Sequence, residues 1–197
     1  MQDISDSMKK ILFCPKMAKE RVLGKKRRLS VIQVSIQTLV VASSPNPSIL
    51  VLCPTEDFET HTSCRVVPIW MGAAEAAQLG MALEGTKTGR PLTHDLMLDA
   101  LTNLDSTVDR VEITDVQGQV FYAQLILRCG DRIITLDARP SDAIALAIRQ
   151  DAPIYMTDAV LDAASFPFVF RKDATDEKEL DEFREFVQSL SPEDFTE

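Results

Sequence analysis

The chain has 197 residues, 45% hydrophobic and 26% charged, enough for one domain with a sizeable core and too few for two large ones. No apolar run approaches the roughly 20 residues that span a bilayer, and Ile11-Leu12-Phe13 is too short for a signal-peptide core, so a cytoplasmic protein without membrane contact is expected. The net charge of −9 is uneven: residues 1–28 carry nine Lys or Arg against three acids, 29–171 nine against seventeen, and 172–197 three against ten, so an acidic domain would meet nucleic acid only through a local basic patch, a bound cation or the N-terminal arm.

Residues 1–28 end in Lys25-Lys26-Arg27-Arg28 and are expected as an extension outside the fold. They read either as an electrostatic arm for an anionic surface or as a poorly ordered tail. The domain proper is expected over 29–171, with an acidic helical tail over 172–197. From Leu29 the pattern turns to β: Val31, Ile32, Val34, Ile36 and Leu39–Val41 form a first strand, ended by Ser43-Ser44-Pro45-Asn46-Pro47. Ile49–Leu52 and Arg65–Trp70 read as the next two strands, with a loop from Pro54 to Ser63. The four cysteines (Cys14, Cys53, Cys64 and Cys129) show no CxxC pair and are expected as free thiols. Cys53, His61 and Cys64 lack a fourth zinc ligand.

Ala73–Glu84 is predicted as a helix ended by Gly85, with the small residues Ala73, Ala76, Ala77 and Gly80 on one face. His94–Leu104 is a second helix, with Thr93 as N-cap. Strands at Val108–Val116, Val120–Arg128 and Arg132–Ala138 follow, turned at Gln117-Gly118 and Gly130-Asp131. Asp142–Arg149 is apolar nearly all round and should be a buried helix. A short strand at Pro153–Met156, a short helix at Asp158–Ala164 and an amphipathic tail helix near Glu177–Leu190 complete the chain. The fold class is therefore α+β: a mixed, largely antiparallel sheet packed with three to four helices.

Two polar segments stand out, Arg90-Pro91-Leu92-Thr93-His94-Asp95 and Asp137-Ala138-Arg139-Pro140-Ser141-Asp142. Each reads Arg-Pro, then a hydroxyl residue as helix N-cap, then an Asp in the first turn. Strand alternation puts Asp137 and Arg139 on one face. The repeated pattern suggests a degenerate internal duplication whose two helix starts open on one polar pocket. The plain structural reading is that Thr93 and Ser141 cap helices while Asp95 and Asp142 suit the positive end of the helix dipole. The functional reading rests on the density of Arg, Asp and His beside an apolar helix, where buried polar groups are costly unless paired or used. Glu75 offers a further carboxylate.

The chain has no Gly-rich phosphate loop and no GxSxG elbow, and two His residues are too few for a His-based metal centre. Carboxylates with arginines suit Mg²⁺ or Mn²⁺ and a phosphate substrate. On that reading Asp137, Asp142 and either Asp95 or Glu75 bind the cation. Arg90 and Arg139, with Thr93 and Ser141, hold phosphate, and His94 moves protons.

Val67-Pro68-Ile69-Trp70-Met71-Gly72, then Glu75-Ala76 and Leu83-Glu84-Gly85, resemble the opening of the bifunctional nuclease domain family. Arg90–Leu96 and Asp137–Ala147 are similar to later motifs of the same family. The resemblance is densest from Val66 to Asp162. It implies hydrolysis of RNA and DNA and a compact α+β domain that self-associates. The rival expectation is a non-catalytic module that uses the same Arg/Asp pocket for a small anionic ligand or a protein partner, with the acidic C-terminal helix as a protein-binding surface.

Overall fold

The computed structural model describes residues 30–42, 47–60 (side chains of 58–60 excepted), 64–168, 182–183, 185–187 and 189–190. The basic extension therefore lies outside the described residues, as does most of the acidic tail.

Eight strands form one sheet: β1 (Val31–Val40), β2 (Ser48–Pro54), β3 (Cys64–Met71), β4 (Ser106–Gln117), β5 (Val120–Cys129), β6 (Arg132–Ala138), β7 (Ile154–Thr157) and β8 (Phe166–Phe168). The helices are α1 (Thr55–Thr60), α2 (Ala73–Leu83), α3 (Thr93–Asn103), α4 (Pro140–Gln150) and α5 (Asp158–Ala164). The strand order is β6-β5-β4-β7-β1-β2-β3-β8. All neighbouring pairs are antiparallel except β4 with β7. Two three-stranded meanders, β1–β3 and β4–β6, are thus joined through β7, and each meander leads into a helix, α2 and α4 respectively. The α+β, largely antiparallel expectation holds.

Hydrophobic patterning explains the layers. Leu50, Leu52, Val67, Ile69, Val111, Ile113, Leu125 and Leu127 on the sheet meet Ala76, Leu79 and Ala143–Ala147 on the helices in one buried core. Helix α4 packs against α2, α3, β4 and β5, which accounts for its apolar surface on nearly every side. Ile144 is fully buried, so truncation to Ala should cost about 2–5 kcal/mol. A smaller core on the opposite face joins Ile49, Val51, Cys53, Cys64 and Val66 to Phe183 and Val187. The described part of the tail helix therefore spends its apolar side on the domain itself.

Two expectations are corrected. Cys53 and Cys64 are disulfide-bonded, with Cα atoms 6.5 Å apart and both side chains buried, so neither is a free thiol or a zinc ligand. Cys129 is free; Cys14 and His61 lie outside the described residues. The stretch read as loop from Pro54 includes helix α1, and strand β8 went unread because three residues give too little alternation to detect. The two Arg-Pro segments also differ in geometry. Pro140 is the first residue of α4, whereas Pro91 precedes the cap of α3, so the two segments enter their helices differently and an internal duplication is not shown.

Candidate functional site

The helix starts set the geometry. The N-caps are Gly72 for α2, Leu92 for α3 and Arg139 for α4, and none caps through its side chain. Thr93 is instead the exposed first residue of α3, and Ser141 is a buried residue in the first turn of α4. Each helix carries an acid three residues past its cap: Glu75, Asp95 and Asp142. That position faces the unpaired N–H groups and the positive end of the dipole. Asp95 Oδ2 accepts the Leu92 N–H at 2.9 Å. A Cβ at Gly72 would lie 2.6 Å from Glu75 Oε2, so the carboxylate folds back over the start of α2 in space that only glycine leaves open.

Arg139 links these helix starts. Its Nε donates to Asp142 Oδ2 at 2.8 Å and its Nη1 to Glu75 Oε1 at 3.1 Å. The other Asp142 oxygen meets His94 Nε2 at 3.3 Å. A continuous polar line, Glu75–Arg139–Asp142–His94, therefore crosses from α2 over α4 to α3. Burial pushes the Asp142 carboxyl up, but the bond and charge of Arg139, with His94 behind, outweigh it and hold the group below its ordinary value. Asp142, then Glu75, pushes the Arg139 guanidinium up. The Arg139 side chain is 65% exposed, so it can turn toward an incoming anion. His94 is 14% exposed and its Nδ1 is buried without a hydrogen-bond partner. In this arrangement it supports Asp142 from behind and does not face solvent.

A second clamp was missed in the sequence. Arg149, with 10% of its side chain exposed, donates to Asp95 Oδ1 at 2.8 Å, to the Ala145 carbonyl at 2.9 Å and to the Gln78 carbonyl at 3.3 Å. The Leu92 N–H first, and then Arg149, lower the Asp95 pKa. Nothing local connects positions 95 and 149; the only signal is that Asp142 and Arg149 are seven residues apart and share a helix face.

The starts of α2 and α4 border a cleft of about 300 Å³. Trp70, Met71, Gly72 and Glu75 line one side, and Arg139, Pro140 and Ser141 another. Gln119, Val120 and Phe121, from the turn between β4 and β5, close it. One exposed cation, two helix N-termini and an apolar wall with aromatic rings make a cleft suited to an anionic group attached to a flat apolar body.

The remaining predicted residues do not join it. Arg90 is exposed in the loop before α3. Asp137 pairs with Gln124, which lies between the core residues Ala123 and Leu125, so Asp137 faces the side of the sheet away from the helices. Its alternation with Arg139 ends because the chain turns into α4 at Arg139. Among the described residues no group of three or more His, Cys, Asp or Glu is placed to hold a metal ion. Both Asp142 oxygens are engaged by Arg139 and His94, and one Glu75 oxygen by Arg139. The donors as arranged do not fit a resident divalent cation.

Residues 58–168 match the family model described as the bifunctional nuclease domain. Two proteins of Mycobacterium tuberculosis are similar: Uncharacterized protein MT1877 of strain CDC 1551 / Oshkosh and Uncharacterized protein Rv1829 of strain ATCC 25618 / H37Rv. Each is 42% identical over 136 residues, covering 66% of this chain and 81% of the relative. Their names state no activity. Among the described residues no helix is long and apolar enough to cross a membrane.

Proposed function

The chain belongs to the bifunctional nuclease domain family, and we propose that it binds the phosphodiester backbone of RNA or DNA in the cleft between α2 and α4 and hydrolyses it there. The observation that carries this reading is the exposed Arg139 guanidinium, held at the cleft by Glu75 and Asp142. A phosphate matches the guanidinium fork better than two separate carboxylates do, because it accepts two parallel N–H bonds at once. Phosphate entering the cleft takes Nη1 from Glu75, while Asp142 and His94 keep the base of the side chain in place. Trp70 and Phe121 line the cleft and give its wall an apolar, aromatic character that suits a base. The released Glu75 carboxylate then takes one proton of a water attacking phosphorus, the P–O bond to the leaving sugar oxygen breaks, and that oxygen takes a proton from solvent water.

No step here passes through a metal. The Mg²⁺ or Mn²⁺ expected from the sequence stands as a separate proposal, without Asp137, whose side chain faces the side of the sheet away from the cleft. The acidic charge of residues 29–171 is offset by the arm of residues 1–28, which we assign to nucleic-acid attraction.

The second reading, a non-catalytic module for a small phosphorylated ligand, draws on the same pairing of carboxylates with Arg139. Cleavage of labelled single-stranded RNA and DNA in Mg²⁺, Mn²⁺ or EDTA, by wild type and Arg139→Ala purified in parallel, separates them. The expected result is cleavage by wild type that persists in EDTA and is lost in the variant. Dependence on Mn²⁺ that disappears with Glu75→Gln would move the site to metal chemistry. Retained oligonucleotide binding without cleavage would leave the binding module. A cytoplasmic location is likewise a proposal; since a reducing compartment opens disulfides, the thiol state of Cys53 and Cys64 in cells tests it.

A further inference from the structure

We propose that strand β6 is the joint of a two-fold dimer, its free edge pairing antiparallel with β6 of a second copy of this chain. Among the described residues, strand β6 ends the sheet and pairs only with β5, so one side of its backbone offers N–H and C=O groups that none of them pairs. Proteins that remain monomeric blunt such edges with proline, lysine, bulges or very short strands. The opposite edge follows that rule: β8 is three residues long and contains Pro167. Strand β6 does not. It has no proline or lysine, and its register with β5 runs unbroken from Ala123↔Ala138 to Cys129↔Arg132. Ile133, Ile134 and Leu136 are 49%, 37% and 38% exposed, an apolar cost that a lone edge strand has no reason to carry.

The sequence of the edge is self-complementary in one register. Opposite residues of an antiparallel pair share a face of the sheet, so a two-fold axis normal to the sheet must pass beside a residue facing its own copy. Centring on Thr135 sets each Ile134 against the partner's Leu136, which extends the helix-side apolar surface across the joint, and Arg132 against Ala138. At each end Asp131 faces Arg139, a pair of opposite charge. Centring on Ile134 would set Asp131 against Asp137, two like charges. Ile133 faces Asp137 in the Thr135 register, on the open face where the carboxylate stays hydrated. The joint brings the partner's β5–β6 turn to the rim of the cleft at Arg139. This inference does not depend on whether the cleft cleaves or only binds.

Light scattering after size exclusion should give the full chain twice its monomer mass. Ile134→Lys with Leu136→Lys, still folded by circular dichroism, should give the monomer. In a Cys129→Ser background, Thr135→Cys should form a disulfide-linked dimer under mild oxidant, because its Cα would lie about 4.5–5.5 Å from its copy, and Ile134→Cys should not. A monomeric wild type, a dimer that survives the lysine pair, or crosslinking through position 134 in place of 135 would each overturn the proposal. So would a monomer that dimerises once residues 1–28 are removed, since the edge would then be covered by the chain's own arm.

Discussion

Glu75→Gln distinguishes a carboxylate that holds back the arginine from one that holds a cation. Glu75 Oε1 and Arg139 Nη1 are 3.1 Å apart, with side chains 27% and 65% exposed. Exposed pairs of this kind contribute about 0.2–1 kcal/mol, because water and salt screen them. That is the energy a phosphate must overcome to take Nη1. Removing the charge while keeping the shape should therefore strengthen binding of a short single-stranded oligonucleotide by about 1.4- to fivefold, at 1.4 kcal/mol per factor of ten. Fluorescence anisotropy at one fixed ionic strength reads this directly, since affinity for phosphates varies steeply with salt. If Glu75 is also the proton acceptor, turnover should fall about 10²–10⁴-fold in the same variant. Tighter binding with slower cleavage is the expected signature. Weaker binding in Glu75→Gln would refute the argument, because it would mean that the carboxylate itself contacts the ligand or its cation.

Three further outcomes follow from the same geometry. Arg149→Met should lower stability by about 2–3 kcal/mol in urea unfolding, from one charge-assisted bond to half-exposed Asp95 and two bonds to carbonyls; a double-mutant cycle with Asp95→Asn that shows no coupling would contradict the clamp. Asp95 and Asp142 both have lowered folded-state pKa values, so their stabilising effect should be complete above the ordinary carboxylate value of about 3.9 and lost as pH falls through the lowered values. Asp142→Asn should flatten that acid limb of the urea midpoint against pH, and an unchanged limb would count against it. Thiol titration of the unfolded, unreduced chain should find two of the four cysteines reactive, and Cys53→Ser with Cys64→Ser should cost about 3 kcal/mol, the contribution of closing a short loop; four reactive thiols would remove the bond.

Much of the fold could be read from periodicity. The two-residue alternation of β5 and β6, the all-round apolar surface of α4 and the Gly85 stop of α2 are local signals, and they survive because tertiary packing reinforces them. Helix α1 and strand β8 did not show because each is too short to repeat its period. The site was half visible. Arg139, Asp142, His94 and Glu75 were singled out by residue type and do come together, but the shared wording of the two Arg-Pro segments misled on the caps. The direction of Asp137 was missed as well, because the strand ends one residue before Arg139.

The sequence alone determined what each segment prefers: which stretches alternate, which helix must be buried, and that acids sit at helix starts where unpaired N–H groups attract them. The tertiary structure decided which preferences meet. It inserted β7 between the two meanders and set α2 beside α4. Arg139 and Glu75, 64 residues apart in the chain, thereby became hydrogen-bonding partners. Local propensity acts over a few residues, whereas pairing at that separation depends on strand order and helix packing, which only burial of the common core selects.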